Sequence, residues 1–208
     1  MKTILFTIIC LVHSYNLFSQ VEKLGIGVHQ HDGFFLRLVP GFGYSQISLS
    51  LADEDWYSFS GGFTLANSIQ IGGAVSENVV VFGESGGVNI TNATMKVFDE
   101  EVNDPGDVSI LFGGVGPGIT YYFMPDNIYI SATILAHIAT VKVVSIKIAD
   151  SNIGFGFNFM AGKEWWVGDD WGLGISVYFR YGSQTDEKVE DMTISGYSFG
   201  ALFSVTFN

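Results

Sequence analysis

From Tyr197 to Phe207 every second residue is apolar or aromatic. Tyr197, Phe199, Ala201, Phe203, Val205 and Phe207 alternate with Ser198, Gly200, Leu202, Ser204 and Thr206. A period of two sends successive side chains to opposite faces of a β-strand. The same repeat runs through Trp171–Tyr181, Ile153–Phe159, Ile119–Phe123, Phe63–Ile71 and Phe34–Tyr44. The second face is what constrains the fold. It is mostly Gly, Ser, Thr and Ala, too small and too uncharged to be the outside of a soluble sandwich. It suits the inner face of a narrow barrel whose apolar face meets lipid. In hydrocarbon an open sheet edge has no partner, so the sheet must close on itself.

Residues 128–146 are apolar enough to imitate a membrane-spanning helix. They contain His137 and Lys142, are rich in β-branched side chains and alternate Ile128, Ile130, Ala132 and Ile134 with Tyr129, Ser131 and Thr133. A strand is therefore expected. Tight turns are expected at 76–78, 125–127 and 168–170, and longer polar loops at about 48–55, 91–107, 142–151 and 183–192. The sum is an all-β fold: an eight-stranded antiparallel up-and-down transmembrane β-barrel, with both termini on the short-turn side. Composition agrees. Only 14% of residues are charged, 26 are glycine, and the net charge of −12 argues against nucleic acid as a partner.

The amino terminus reads as an export signal. Lys2 precedes the apolar run Ile4–Val12, and cleavage is expected after Ser19. This divides the chain into a signal at 1–19, a periplasmic lead-in at 20–32 and a barrel at 33–208. Cleavage would remove Cys10, the chain's one cysteine.

The ending Ser198-x-Gly200-x-x-Phe203-x-Val205, followed by Phe207, resembles the carboxyl-terminal assembly signal of outer-membrane barrels, with Asn208 a departure from it. The segments Gly72–Asn78, Gly116–Pro125 and Gly162–Val167 resemble a family of uncharacterised bacterial outer-membrane β-barrel proteins. The architecture is similar to that of small OmpA-, OmpX- and OmpW-type barrels. The resemblance implies a bacterial outer-membrane location and no particular chemistry. Expected partners are membrane lipid, lipopolysaccharide and the assembly machinery, with the barrel a monomer.

Alternation places both arginines, Arg37 and Arg180, in the lumen together with Glu164. If Val80 and Phe82 face lipid, Glu84 would face it too, so a bulge at Gly83 is expected to bring Glu84 inside. Counted from the short turns, Arg37, Gln70, Glu84 and Glu164 share one level, and Arg180 lies nearer the outer loops. A lumenal cluster of Arg37 with Glu84 and Glu164 is expected, flanked by Tyr122 and Tyr129. His137 and Tyr178 also take the lumen parity. Trp56, Trp165, Trp166 and Trp171 fall near strand ends, as interfacial anchors.

Other chemistry is discounted. Gly83-Glu84-Ser85-Gly86-Gly87 matches a nucleophile elbow, but strand rather than helix follows Ser85. His29, His31 and Asp32 read as a solvated lead-in rather than a metal site. The acidic loop clusters around Asp53, Asp99 and Asp186 lack calcium-loop spacing and read as solvated, with divalent cations shared with lipopolysaccharide as the other reading. No cofactor, no metal and no enzymatic activity are expected. The expected function is structural or surface-interacting, with a side-chain-filled lumen. The alternative is a narrow pore for small or hydrophobic solutes, and a lipid-modifying enzyme ranks third.

Overall fold

A computed structural model describes residue 31 and residues 33–51, 54–98, 100–103 and 106–208. The expected signal, with Ser19 and Cys10, lies outside the described residues.

The described chain is strand and turn. In order it forms β1 (Phe34–Leu38), β2 (Gly41–Leu51), β3 (Glu54–Ser60), β4 (Phe63–Ser76), β5 (Val79–Thr91), β6 (Thr94–Val97) and β7 (Glu100–Glu101). It continues through β8 (Val108–Phe123), β9 (Ile128–Val143), β10 (Ile146–Asp150), β11 (Gly154–Trp166), β12 (Trp171–Thr185) and β13 (Met192–Phe207). Every named pairing is antiparallel. The wall runs from β1 and β2 through β4, β5, β8, β9, β11 and β12 to β13, which pairs back onto β2 and β1. Taking β1 and β2 as one strand interrupted at Pro40, this is a closed ring of eight. The interruption leaves the register intact: Leu38 faces Val205 and Gly41 faces Leu202.

The apolar face points outward along the wall. Phe63, Ile134, Phe155, Val177 and Phe203 are each more than half exposed. A belt of this kind has no place in water and is a lipid-facing surface. Several strands reach 13–16 residues, more than the nine to eleven or so that cross a bilayer, so the wall extends beyond the hydrocarbon.

That extension departs from the expected polar loops. The stretch 91–107 contains β6 and β7, with β6 paired to β3. The stretch 142–151 is largely a hairpin, β9 folding back as β10 about Val144 and Ser145. Backbone polar groups near the rim find partners in added sheet rather than in irregular loop. At the other end the turns are short, as expected: Glu77–Asn78, residues 124–127 and residues 167–170.

No bulge forms at Gly83. The β5–β8 register runs unbroken from Val79 to Thr91. Glu84 is lumenal because Val80 and Phe82, buried like Glu84, also face inward. Phe82 is apolar for packing, not for lipid: its ring lies over Gly118, where a Cβ would come within 2.5 Å.

The lumen has two layers. Toward the short turns it is polar, with Arg37, Gln70, Glu84, Thr133, Asn158 and Glu164 all buried. Toward the outer loops it is apolar, with Ile47, Leu49, Phe59, Ile90, Ile110, Phe112, Val141 and Ile194 buried to within about a percent. Alternation predicts small polar residues throughout the lumen. Stretches that are apolar on both faces, such as Ile110–Phe112, hide the upper layer from an alternation argument.

Candidate functional site

The polar layer is organised around two carboxylates. Glu164 on β11 accepts from Arg37 Nε at 3.0 Å, Thr206 Oγ1 at 2.6 Å, Ser204 Oγ at 3.3 Å and Tyr122 OH at 3.1 Å. Glu84 on β5 accepts from Arg180 Nη2 at 2.7 Å, Thr133 Oγ1 at 2.7 Å, Asn158 Nδ2 at 2.9 Å and Gln70 Nε2 at 3.2 Å. An ionised carboxylate offers about four acceptor positions; Glu84 takes two hydrogen bonds on each oxygen, and Glu164 takes three on Oε1 and one on Oε2. Gln70 joins the two halves, since its Oε1 accepts from Arg37 Nη1 at 3.2 Å. The Arg37 guanidinium also donates to Tyr122 OH and lies 4.1 Å from the centre of the Tyr129 ring.

The pairing differs from the expected cluster. Arg37 takes Glu164, and Glu84 takes Arg180. Arg37, Gln70 and Glu84 do face one another across β1, β4 and β5. Counting residues from the turns nevertheless misplaces Arg180, because barrel strands tilt. The register row through Arg180 passes Asn158, Thr133 and Gly118 and reaches β5 at Phe82, one inward step from Glu84. Arg180 therefore arrives at the level of Glu84 despite its distance along β12 from the short turn.

Three polar atoms close to this pair lack a protein partner: Arg180 Nε, Asn158 Oδ1 and Ser68 Oγ. Their residues line one cavity of about 10 Å³, room for a single water.

His137 is buried in the lumen, with Nδ1 3.0 Å from Gln184 Oε1 and its ring edge-on to Phe112. Its ring occupies slots left by Gly156 and Gly182, where an added Cβ would come within 2.8 and 2.6 Å of it. Tyr178 bonds Ser198 Oγ at 2.8 Å and reaches across to Gly43. Ser198 and Gly200 of the carboxyl-terminal motif thus face the lumen, while Phe203 is more than half exposed on the outer face.

His31 overturns the expectation of a solvated lead-in. It is buried at the short-turn end, with Nδ1 2.9 Å from Asn208 Oδ1 and Nε2 2.8 Å from Asn127 Oδ1. It stacks on Tyr122 at 3.4 Å between ring centres. His31 sits inside because the Tyr122 face, the buried Asn127 amide and the half-buried Asn208 amide give it partners. Trp166, expected as an interfacial anchor near a strand end, packs beside His31 instead, 5.2 Å away between ring centres. Trp171 does face outward, edge-on to Phe207 at 5.1 Å. Trp56 packs near Phe98 in the outer extension, and Trp165 pairs in register with the outward Leu173. His29 and Asp32 lie outside the described residues. Alternation gave no hint of His31; the unexpected Asn208 was the available signal.

Ser85 is on the exposed face of β5 and His137 is inside the barrel, so the wall separates them. No group of three or more metal-ligating side chains occurs among the described residues. Asp53 and Asp99 lie outside those residues.

No protein-family model matches the chain, and no curated protein sequence matches it significantly. Solved structures do. The Neisserial surface protein A superposes with a TM-score of 0.50 at 12% identity, covering 84% of this chain and 96% of that one. OprG of Pseudomonas aeruginosa gives 0.49 at 10% identity over 87% and 99%. The outer membrane protease OmpT of Escherichia coli gives 0.48 at 8% identity over 85% and 97%. The first likeness shows the fold, a small outer-membrane barrel, and at this identity it shows no more than that.

Proposed function

We propose that the chain is a closed outer-membrane barrel with a structural or surface-interaction role, acting through its outer face and rim rather than by conducting solute or by catalysis. The single observation that carries this reading is the buried network of ion pairs and hydrogen bonds across the lumen. Arg37, Gln70, Glu84 and Glu164 are buried, each carboxylate takes four hydrogen bonds, and a buried apolar layer lies above them. Opening a path would require both buried ion pairs and the hydrogen bonds around them to come apart together. Two closures in series, one polar and one apolar, make a leak through either insufficient. The separation of Ser85 from His137 supports the non-enzymatic reading. The outward aromatics at Trp171 and Phe207 suit anchorage in lipid.

Planar-bilayer recording tests it. Wild type and Arg37→Ala are both expected to give no discrete conductance steps, because the apolar layer still seals the variant. Reproducible ohmic steps from the wild type would overturn the reading.

A further inference from the structure

Near the outer rim the wall divides. On one side β2, β3, β6 and β7 form a sheet, and on the other β9 folds back as β10. Between them lies a cavity of about 220 Å³, lined by Leu49, Tyr57, Met95, Val143, Ile148 and Met192, with Val189 of the β12–β13 connection on its edge. No charged side chain lines it. Its base belongs to the apolar layer: Leu49 is buried and pairs in register with the buried Ile194.

The space is therefore apolar, supplied by six separate strands and a connection, and closed below. Apolar cavities of about 150 Å³ take up benzene, so this one has room for a substituted ring or a short alkane. Two methionines in its wall let it adapt to shape, since the thioether chain is flexible and polarisable. A polar ligand finds few partners here, because only Tyr57 brings a side-chain polar group.

We propose that this cup binds one small neutral hydrocarbon-like molecule, a monoaromatic or a short alkyl compound, at the outer mouth. It holds the ligand there without delivering it into the lumen. The binding goes beyond the closed-barrel reading and stands on the cavity itself; only the absence of onward passage rests on that reading.

The methionines supply the test. Met95 and Met192 line the cup, Met160 is buried in the polar lumen, and Met124 is by a short turn at the opposite end. Purified protein carrying ¹³C-methyl methionine, in lipid nanodiscs, is titrated with toluene and followed by methyl NMR. Saturable shifts are expected at Met95 and Met192, with none at Met160 and only a linear, partition-type drift at Met124. Ile148→Trp and Val189→Trp fill the cup from partly exposed positions. Each is expected to raise the half-saturating concentration at least tenfold, with the Met160 signal and the gel mobility of the folded barrel unchanged. The proposal is overturned if Met95 and Met192 drift linearly as Met124 does, or if wild type and both variants titrate alike. Saturable shifts that extend to Met160 leave the cup standing and overturn the closed lumen.

Discussion

Glu164 shows how much a buried side chain depends on its full set of partners. It holds the buried Arg37 at 3.0 Å and takes three further hydrogen bonds. Removing one partner of a buried pair leaves the other charge uncompensated, at about 3–5 kcal/mol, whereas replacing both by apolar side chains is often neutral. Glu164→Gln is therefore expected to lose about that much in urea unfolding from vesicles. Arg37→Met combined with Glu164→Leu is expected to recover most of it. Equal losses in the single and double variants would show that packing, not charge, is at stake. Alternation put these residues on the right face, because facing depends only on parity. It misassigned the partner of Glu84, because partners depend on strand tilt and register, which no local pattern encodes. His31 was read as solvated for the same reason: its partners Asn127 and Asn208 are 96 and 177 residues away.

At the level of elements, the wall strands were legible because lipid demands an apolar outer face, and the rim was not because nothing there demands it. The β9–β10 hairpin is the sharpest case. Val144 and Ser145 both have positive φ, 50° and 63°, a two-residue turn for which Asn and Gly are the usual signals. With Val and Ser in those places the segment reads as loop. The hairpin has its own electrostatic tie. Asp150 accepts from Lys147 Nζ at 2.8 Å and from Thr140 Oγ1 at 2.7 Å, and these bonds hold its carboxyl below the usual carboxylate range. A depressed carboxyl stabilises above its unfolded value, near 3.9, and loses that contribution as pH falls through the lower folded value. Proteolysis at 144–145 by an acid-tolerant protease, corrected for the enzyme's own pH profile, is thus expected to stay level from pH 7 to about 5 and to rise below about 4. Asp150→Asn should flatten that rise. An equally steep rise in the variant would assign the acid sensitivity elsewhere. The tie is partly exposed, so the effect is modest.

For the molecule as a whole, the belt and the filling answer to different solvents. Ile134 is 60% exposed near the middle of β9. Ile134→Arg is expected to cost about 2–4 kcal/mol in vesicle-based unfolding and almost nothing in a zwitterionic detergent micelle. A similar loss in both would mean the position does not face hydrocarbon. The closed barrel, its outward belt and its short turns at one end were all legible in the sequence. The division of the lumen into a polar and an apolar layer was not, because both layers look alike from outside the wall.

The two ion pairs also have an electrical meaning. The strands carry Arg37 and Arg180 into the lumen against Glu84 and Glu164, so their charges sum to zero and the chain's net −12 resides elsewhere. A voltage does work on a displaced structure only in proportion to the charge that moves with it, about 2.3 kcal/mol per elementary charge per 100 mV. A core that moves as one neutral body gives the field no lever, and the barrel is in that sense deaf to membrane potential.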